Sequence, residues 1–238
     1  MPSSTTRFFA ALFVGLLSSS LTTAQSYDTA HNATSLLGTW SSGSGSVLTG
    51  PGFANPVNFT FNYPPTTGIS YSFTTETLSD GSDGYFEEAQ YRFQGNGSRP
   101  TCIIGIVQWQ HGTYTLNTDG SITLNPFAAD GRQQVQDMCA AKSNVIQQFN
   151  QTTLFANWNI YQDTTKGYKL QLYRFDGAPL SPMYQVSTTP NMLPTELLTN
   201  TTVNTVIITN ASSRRDTSIL PMLGVAGTAM LMGLVAVL

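Results

Sequence analysis

Ile69-Ser70-Tyr71-Ser72-Phe73 alternates apolar with polar residues, the period-two pattern of a β-strand that buries one face and wets the other. The same alternation recurs at Ser121-Ile122-Thr123-Leu124 and at Tyr168-Lys169-Leu170-Gln171-Leu172. Turn dipeptides stand between such runs: Asp80-Gly81, Asp83-Gly84, Asn96-Gly97, Asp119-Gly120 and Lys166-Gly167, at hairpin spacing. From 35 to 190 these signals define about nine strands and an all-β, antiparallel meander. Gln134 to Gln148, tethered by Cys139, is the one stretch that reads as a helix. A meander of this length either stacks as a β-sandwich or closes into a barrel, because an open sheet would expose its edges and one apolar face.

The barrel is the preferred reading. Leu36-Leu37-Gly38-Thr39-Trp40 puts Gly-x-Trp on the first strand and resembles the start of lipocalin-like barrels, in which the indole plugs the barrel floor. The resemblance implies that Arg174, at the end of Leu170-Gln171-Leu172-Tyr173-Arg174, packs over Trp40.

Charge is scarce. Of 238 residues 40% are hydrophobic and only 10% are Asp, Glu, Lys or Arg, against about 25% in an average soluble domain. Ten scattered basic residues on a chain of net charge −3 cannot form the stripe that phosphate neutralisation needs, which removes nucleic acid as a partner.

The two ends read as addresses. Arg7, the apolar run Phe8 to Leu17 and the small residue Ala24 form a secretory signal peptide over 1–24. Residues 219–238 carry no charge and, at 1.5 Å per residue, match a ~30 Å hydrocarbon core as a transmembrane helix. The small residues Asn210, Ala211, Ser212 and Ser213 ahead of that tail also fit a glycosylphosphatidylinositol signal at the cell surface, and the pattern alone leaves both open. The remainder divides into a luminal β domain over 25–190 and a Thr-rich, glycosylated linker over 191–218, in which Thr202 to Thr209 offers a further strand.

Sequons occur at Asn32, Asn58, Asn96, Asn150, Asn200 and Asn210, and glycans there would supply the solubility that charge does not. Asn96 and Asn150 sit in turn-like contexts, whereas Asn58 lies within an apparent strand. Cys102 and Cys139 lack metal or redox spacing and are expected to pair as a structural disulfide.

No catalytic machinery is visible, and neither cofactor nor metal is expected. His31 and His111 are the only histidines, with no nucleophile motif beside them. A glycosidase needs two carboxylates flanking one bond; Glu87 and Glu88 are adjacent on a strand and point to opposite faces, so one of them would have to pair with Asp130, Asp137 or Asp176. Aromatic residues make up 11% of the chain. Trp109 and Tyr114, either side of the apparent turn Gln110-His111-Gly112, are the candidates for a cavity mouth.

Several longer strings carry a family resemblance. They are Gly38-Thr39-Trp40-Ser41-Ser42-Gly43-Ser44-Gly45, Leu48-Thr49-Gly50-Pro51-Gly52-Phe53, Asp83-Gly84-Tyr85-Phe86-Glu87-Glu88-Ala89 and Gln108-Trp109-Gln110-His111-Gly112. Further on come Asp130-Gly131-Arg132-Gln133-Gln134-Val135-Gln136-Asp137 followed by Cys139, Tyr173-Arg174-Phe175-Asp176-Gly177, and Asn191-Met192-Leu193-Pro194. From about Leu36 to Leu198 the chain resembles the fungal ROT (reversal of Tor lethality) family of endoplasmic-reticulum membrane chaperones. The resemblance implies a membrane-anchored chaperone of the lumen for newly made secretory and cell-wall proteins, supporting N-glycosylation and β-1,6-glucan synthesis. Its implied partners are unfolded clients, the oligosaccharyltransferase and other chaperones of that compartment. It favours a retained transmembrane helix over a lipid anchor, although no retrieval tail follows the helix. A glucan-acting glycosidase or transglycosidase and a lipocalin-like binder of a small apolar ligand are the alternatives.

Overall fold

A computed structural model describes residues 35–200 and the strand at 206–208; the proposed signal peptide, the tail over 219–238, Asn32 and Asn210 lie outside these. The described chain is all-β, without a helix. Its strands are β1 (Gly38–Ser42), β2 (Ala54–Asn55), β3 (Thr60–Phe61), β4 (Gly68–Phe73), β5 (Gly84–Gly95) and β6 (Ile103–Leu116). There follow β7 (Ile122–Pro126), β8 (Arg132–Asp137), β9 (Asn144–Gln148), β10 (Thr153–Asp163), β11 (Gly167–Arg174), β12 (Met183–Ser187) and β13 (Val206–Ile208).

Eleven strands form one antiparallel sheet in the order β13-β9-β8-β6-β5-β4-β1-β12-β11-β10-β7, while β2 and β3 make a separate two-stranded ribbon. β7 pairs on both sides, with β10 and with β6, so the ladder β6-β5-β4-β1-β12-β11-β10-β7 returns on itself. The branch lies within β6. Its first half, Ile104 to Trp109, pairs with β8, and its second half, Gly112 to Leu116, pairs with β7. Gly112 permits the divergence, since a Cβ there would stand 2.1 Å from the Asn125 carbonyl oxygen.

Side chains on the inner face of the returning ladder form one apolar cluster. Trp40, Tyr71, Phe73, Phe86, Tyr114 and Phe155 supply its aromatic part, with Leu124, Leu170, Leu172 and Met183 between them. Each such buried side chain contributes about 1.5–3 kcal/mol, which makes this layer the main source of stability. A second cluster lies on the outer face of β5 and β6. There Val47, Phe53, Ala89, Val107 and Trp109 pack with Leu193 and Leu198 of the C-terminal segment.

Several expectations need correction. Gln134 to Gln148 is not a helix but the hairpin β8–β9, in which Gln134 pairs with Ile146 and Gln136 with Asn144. Gln110-His111-Gly112 is no turn but the middle of β6, and Trp109 and Tyr114 are both buried in the clusters rather than placed at a mouth. Asn58 lies not in a strand but in the turn between β2 and β3. Residues 191–199 are not linker: they run along the outer face as a strap fixed by buried side chains. β13 does add the further strand foreseen near 202–209, by pairing with β9.

Trp40 is fully buried and donates its indole N–H to the Leu36 carbonyl at 2.7 Å. Arg174 does not cover it. Trp40 is opposite Gln185, which the register of Lys169 with Tyr184 sets opposite Tyr168, so Arg174 lies six residues further along β11, about 20 Å away. Its guanidinium is 56% exposed and reaches Asp176 at 4.0 Å.

Candidate functional site

Glu87 and Glu88 are adjacent on β5, and the strand sends them to opposite sides of the sheet. Glu87 is buried in the outer layer. It accepts from the Trp109 indole N–H at 2.8 Å and from the backbone N–H groups of Gly50 and Leu193. Burial pushes its carboxyl up to about 7, against the pull of those three donors. Asp130 does the same work further along the strap, accepting from the Leu198 and Thr199 amides and from the Thr199 hydroxyl at 2.7 Å.

Asp130 also meets His111 Nε2 at 2.8 Å. Burial alone would raise the Asp130 carboxyl, yet these donors outweigh it and hold it below the usual range. Burial lowers His111, against the Asp130 charge, so the imidazole is neutral at pH 7 and Nε2 donates. His111 lies between Trp109 and Phe127, and every one of these contacts serves packing. Asn191 completes the strap: Ser72 donates to its carbonyl, and its own amide N–H goes to Thr39.

Glu88 points inward, to an open mouth at the end of the packed interior. This cavity of about 430 Å³ has Tyr71 and Phe155 as its floor and carboxamides as its walls, from Gln90, Gln108, Gln110 and Gln151. Tyr71 and Phe155 meet edge to face at 5.7 Å. The Tyr71 hydroxyl donates to Glu88 at 3.0 Å and the Gln110 amide donates to it at 2.8 Å. Burial raises the Glu88 carboxyl, against those hydrogen bonds and the Arg92 charge. Gln110 meanwhile bonds both backbone groups of Gln151, taking the place of a strand where β7 and β8 part.

A second, larger cavity of about 610 Å³ opens next to the first and shares Ile69, Gln90 and Arg92 with it. Tyr91, Phe93, Pro182 and Tyr184 make its apolar surface, and Arg92 and Lys166 its charge. Beside it Tyr63, Tyr91 and Phe93 form an aromatic row with centroid spacings of 6.3 and 5.1 Å, and Phe93 is 59% exposed.

Glu88 is the only carboxylate lining the mouth, so the two-carboxylate arrangement of a glycosidase is not assembled there. Asp130, one proposed partner, is committed to His111 and the strap. The interior beyond the mouth is filled with aromatic and aliphatic side chains, which counts against a carrier of small apolar ligands.

Cys102 and Cys139 form a disulfide that ties the start of β6 to the β8–β9 turn. Asn58, Asn96, Asn150 and Asn200 are exposed. Asn96 Oδ1 accepts from the Ser98 and Arg99 amides, which turns its Nδ2 away from the backbone. The sequence reading passed over Arg132. It is buried on β8, donates to the Ala129 and Gly131 carbonyls, and lies 4.3 Å from the Phe59 ring. Phe59 itself has φ 54°, a conformation rare for a non-glycine residue.

An aromatic core, a polar mouth and an adjoining aromatic–cationic surface are thus carried by one all-β domain. The chain belongs to the family described as "Rot1: Chaperone for protein-folding within the ER, fungal", whose profile matches residues 36–224. It is 48% identical over 172 residues to protein rot1 of Botryotinia fuckeliana, covering 72% of this chain and 62% of that protein. With protein rot1 of Aspergillus niger the identity is 43% over 187 residues, 78% of this chain and 75% of the relative. With that of Schizosaccharomyces pombe it is 43% over 171 residues, 71% of each. The matched stretch spans about three fifths of the Botryotinia and Sclerotinia relatives. No solved structure gives a significant match.

Proposed function

We propose that this chain is a molecular chaperone of the endoplasmic-reticulum lumen, binding folding intermediates of secretory and cell-wall proteins without nucleotide. Family membership over 36–224 carries the reading. The exposed rings of Tyr63 and Phe93, on either side of the half-buried Tyr91, are consistent with it, because exposed apolar patches on soluble domains usually mark interaction sites. The returning strand ladder supports a closed barrel as the rigid body that presents this surface. Anchoring by a helix over 219–238, glycans on the exposed sequons, and support of N-glycosylation and β-1,6-glucan synthesis through client folding belong to the same proposal. So does docking with the oligosaccharyltransferase and other chaperones of the lumen.

The test is aggregation of unrelated denatured proteins, followed by light scattering, with the full chain in detergent micelles and no nucleotide. Suppression at stoichiometric ratios is expected. Unchanged aggregation at several-fold molar excess overturns the proposal.

A further inference from the structure

We infer that the mouth and the adjoining cavity act as one groove that takes an extended polypeptide segment with an acidic side chain set among apolar ones. This rests on the chaperone reading and names the kind of client segment it would engage. The two cavities meet along Ile69, Gln90 and Arg92, so a ligand crossing that rim touches both. Such continuity suits an extended chain better than a compact small molecule. The carboxamides of Gln90 and Gln108 and the hydroxyls of Ser42 and Thr67 offer the mixed donors and acceptors that a peptide backbone requires.

Charge selects the side chain. The described residues contain only two ion pairs, His111–Asp130 and Arg174–Asp176, and neither Arg92 nor Lys166 belongs to one. Arg92 donates to the neutral Gln108 Oε1 at 3.1 Å, and the Lys166 ammonium rests 4.6 Å above the Tyr184 ring. No acid lines the larger cavity. Arg92 acts through its charge on Glu88, inside the mouth, and Lys166 on Asp163, whose Oδ1 is occupied by the Thr165 and Lys166 amides. On a chain of net charge −3, two exposed cations beside tyrosine and phenylalanine rings make a local site for a carboxylate flanked by apolar groups.

Ring geometry argues against a saccharide. Stacking of a sugar needs a free, flat aromatic face. Tyr91 is flanked by Tyr63 and by Phe93 at 63°, and Lys166 covers Tyr184. The rings therefore present edges and gaps, which suit aliphatic and aromatic side chains.

The experiment measures fluorescence anisotropy of labelled peptides of equal length on the full chain in detergent micelles. One peptide alternates Asp with Leu and Phe, the second has Asn for each Asp, the third has Lys, and a labelled β-linked glucose oligomer is the fourth probe. We expect the acidic peptide to bind about fivefold tighter than its amide counterpart, the size of one part-desolvated charge contact. This preference should fall with added salt and disappear in R92M/K166M. Both positions are exposed, so the fold is retained, and Lys142→Met, in the β8–β9 turn, should leave binding unchanged. Equal affinity for the acidic and amide peptides, tighter binding of the basic peptide or the glucose oligomer, or full binding by the double variant overturns the inference. A parent chain that suppresses aggregation without preferring acid overturns the groove assignment alone. Selective binding of the acidic peptide without suppression of aggregation upholds the groove and overturns the chaperone reading.

Discussion

Glu87 is a buried carboxyl group whose pKa is pushed up to about 7 by burial. Between the unfolded value near 4.5 and about 7 the folded chain holds a proton that the unfolded chain has released. Stability from this group is therefore complete below 4.5 and is lost as pH rises through 7, by about 3 kcal/mol in all. Urea midpoints measured from pH 4.5 to 8 should show this fall in the parent chain and a flatter profile in Glu87→Gln. The variant should also be weaker at low pH by about 1–3 kcal/mol, because its amide nitrogen would face the Leu193 N–H or another of the three donors. The opposite orientation of Glu87 and Glu88 was legible in the sequence, since alternation along a strand requires it. Arg174 was misplaced because Gly-x-Trp fixes only the first strand, while the stagger of the last depends on a register that no local motif records.

At the scale of elements, alternation revealed the strands whose two faces differ. β4, β7 and β11 each bury Ile, Leu, Tyr or Phe on one side and keep Ser, Thr, Lys or Gln on the other. It failed at β8 and β9, where glutamines stand on both faces. Gln134 is buried yet satisfied by Tyr63 and Asn144, and Gln133 pairs with Gln147 at 3.4 Å, so amides do the work that apolar residues do elsewhere. The branch in β6 left one trace, a glycine in a strand interior, which marks a close backbone approach. Gly112→Ala would drive its Cβ into the Asn125 carbonyl and force β7 from β6. Loss of at least about 3 kcal/mol is expected, and a thermal midpoint within a degree of the parent would refute it.

Across the whole molecule, the pairing of the two cysteines was readable from the secretory context and the lack of metal or redox spacing, whereas the strap was not. Its anchors, Glu87 and Asp130, are distant in sequence from the Leu193, Leu198 and Thr199 amides they receive, and Pro190, Pro194 and the threonines gave the segment the composition of a linker. The Cys102–Cys139 bridge closes a separation of 37 residues, and chain-entropy reasoning assigns it roughly 3.5 to 4 kcal/mol. Reduction, or C102S/C139S, should lower the urea midpoint accordingly while leaving the far-ultraviolet β signature intact. The strand ladders on both sides of the bridge, β6–β8 and β8–β9, hold without it.

The strap and β12 have a temporal meaning. β1 receives one of its two neighbours only when β12 has been made, and Asn191 reaches back 152 positions to Thr39. At ordinary rates of translation that interval lasts roughly 8 to 30 seconds. Throughout it, the strand ladder lacks β12 and the aromatic side chains that pack against it stay wet. An early strand of this domain thus stays half-paired until elements made about 150 residues later arrive, so its folding waits on its own late-made segments.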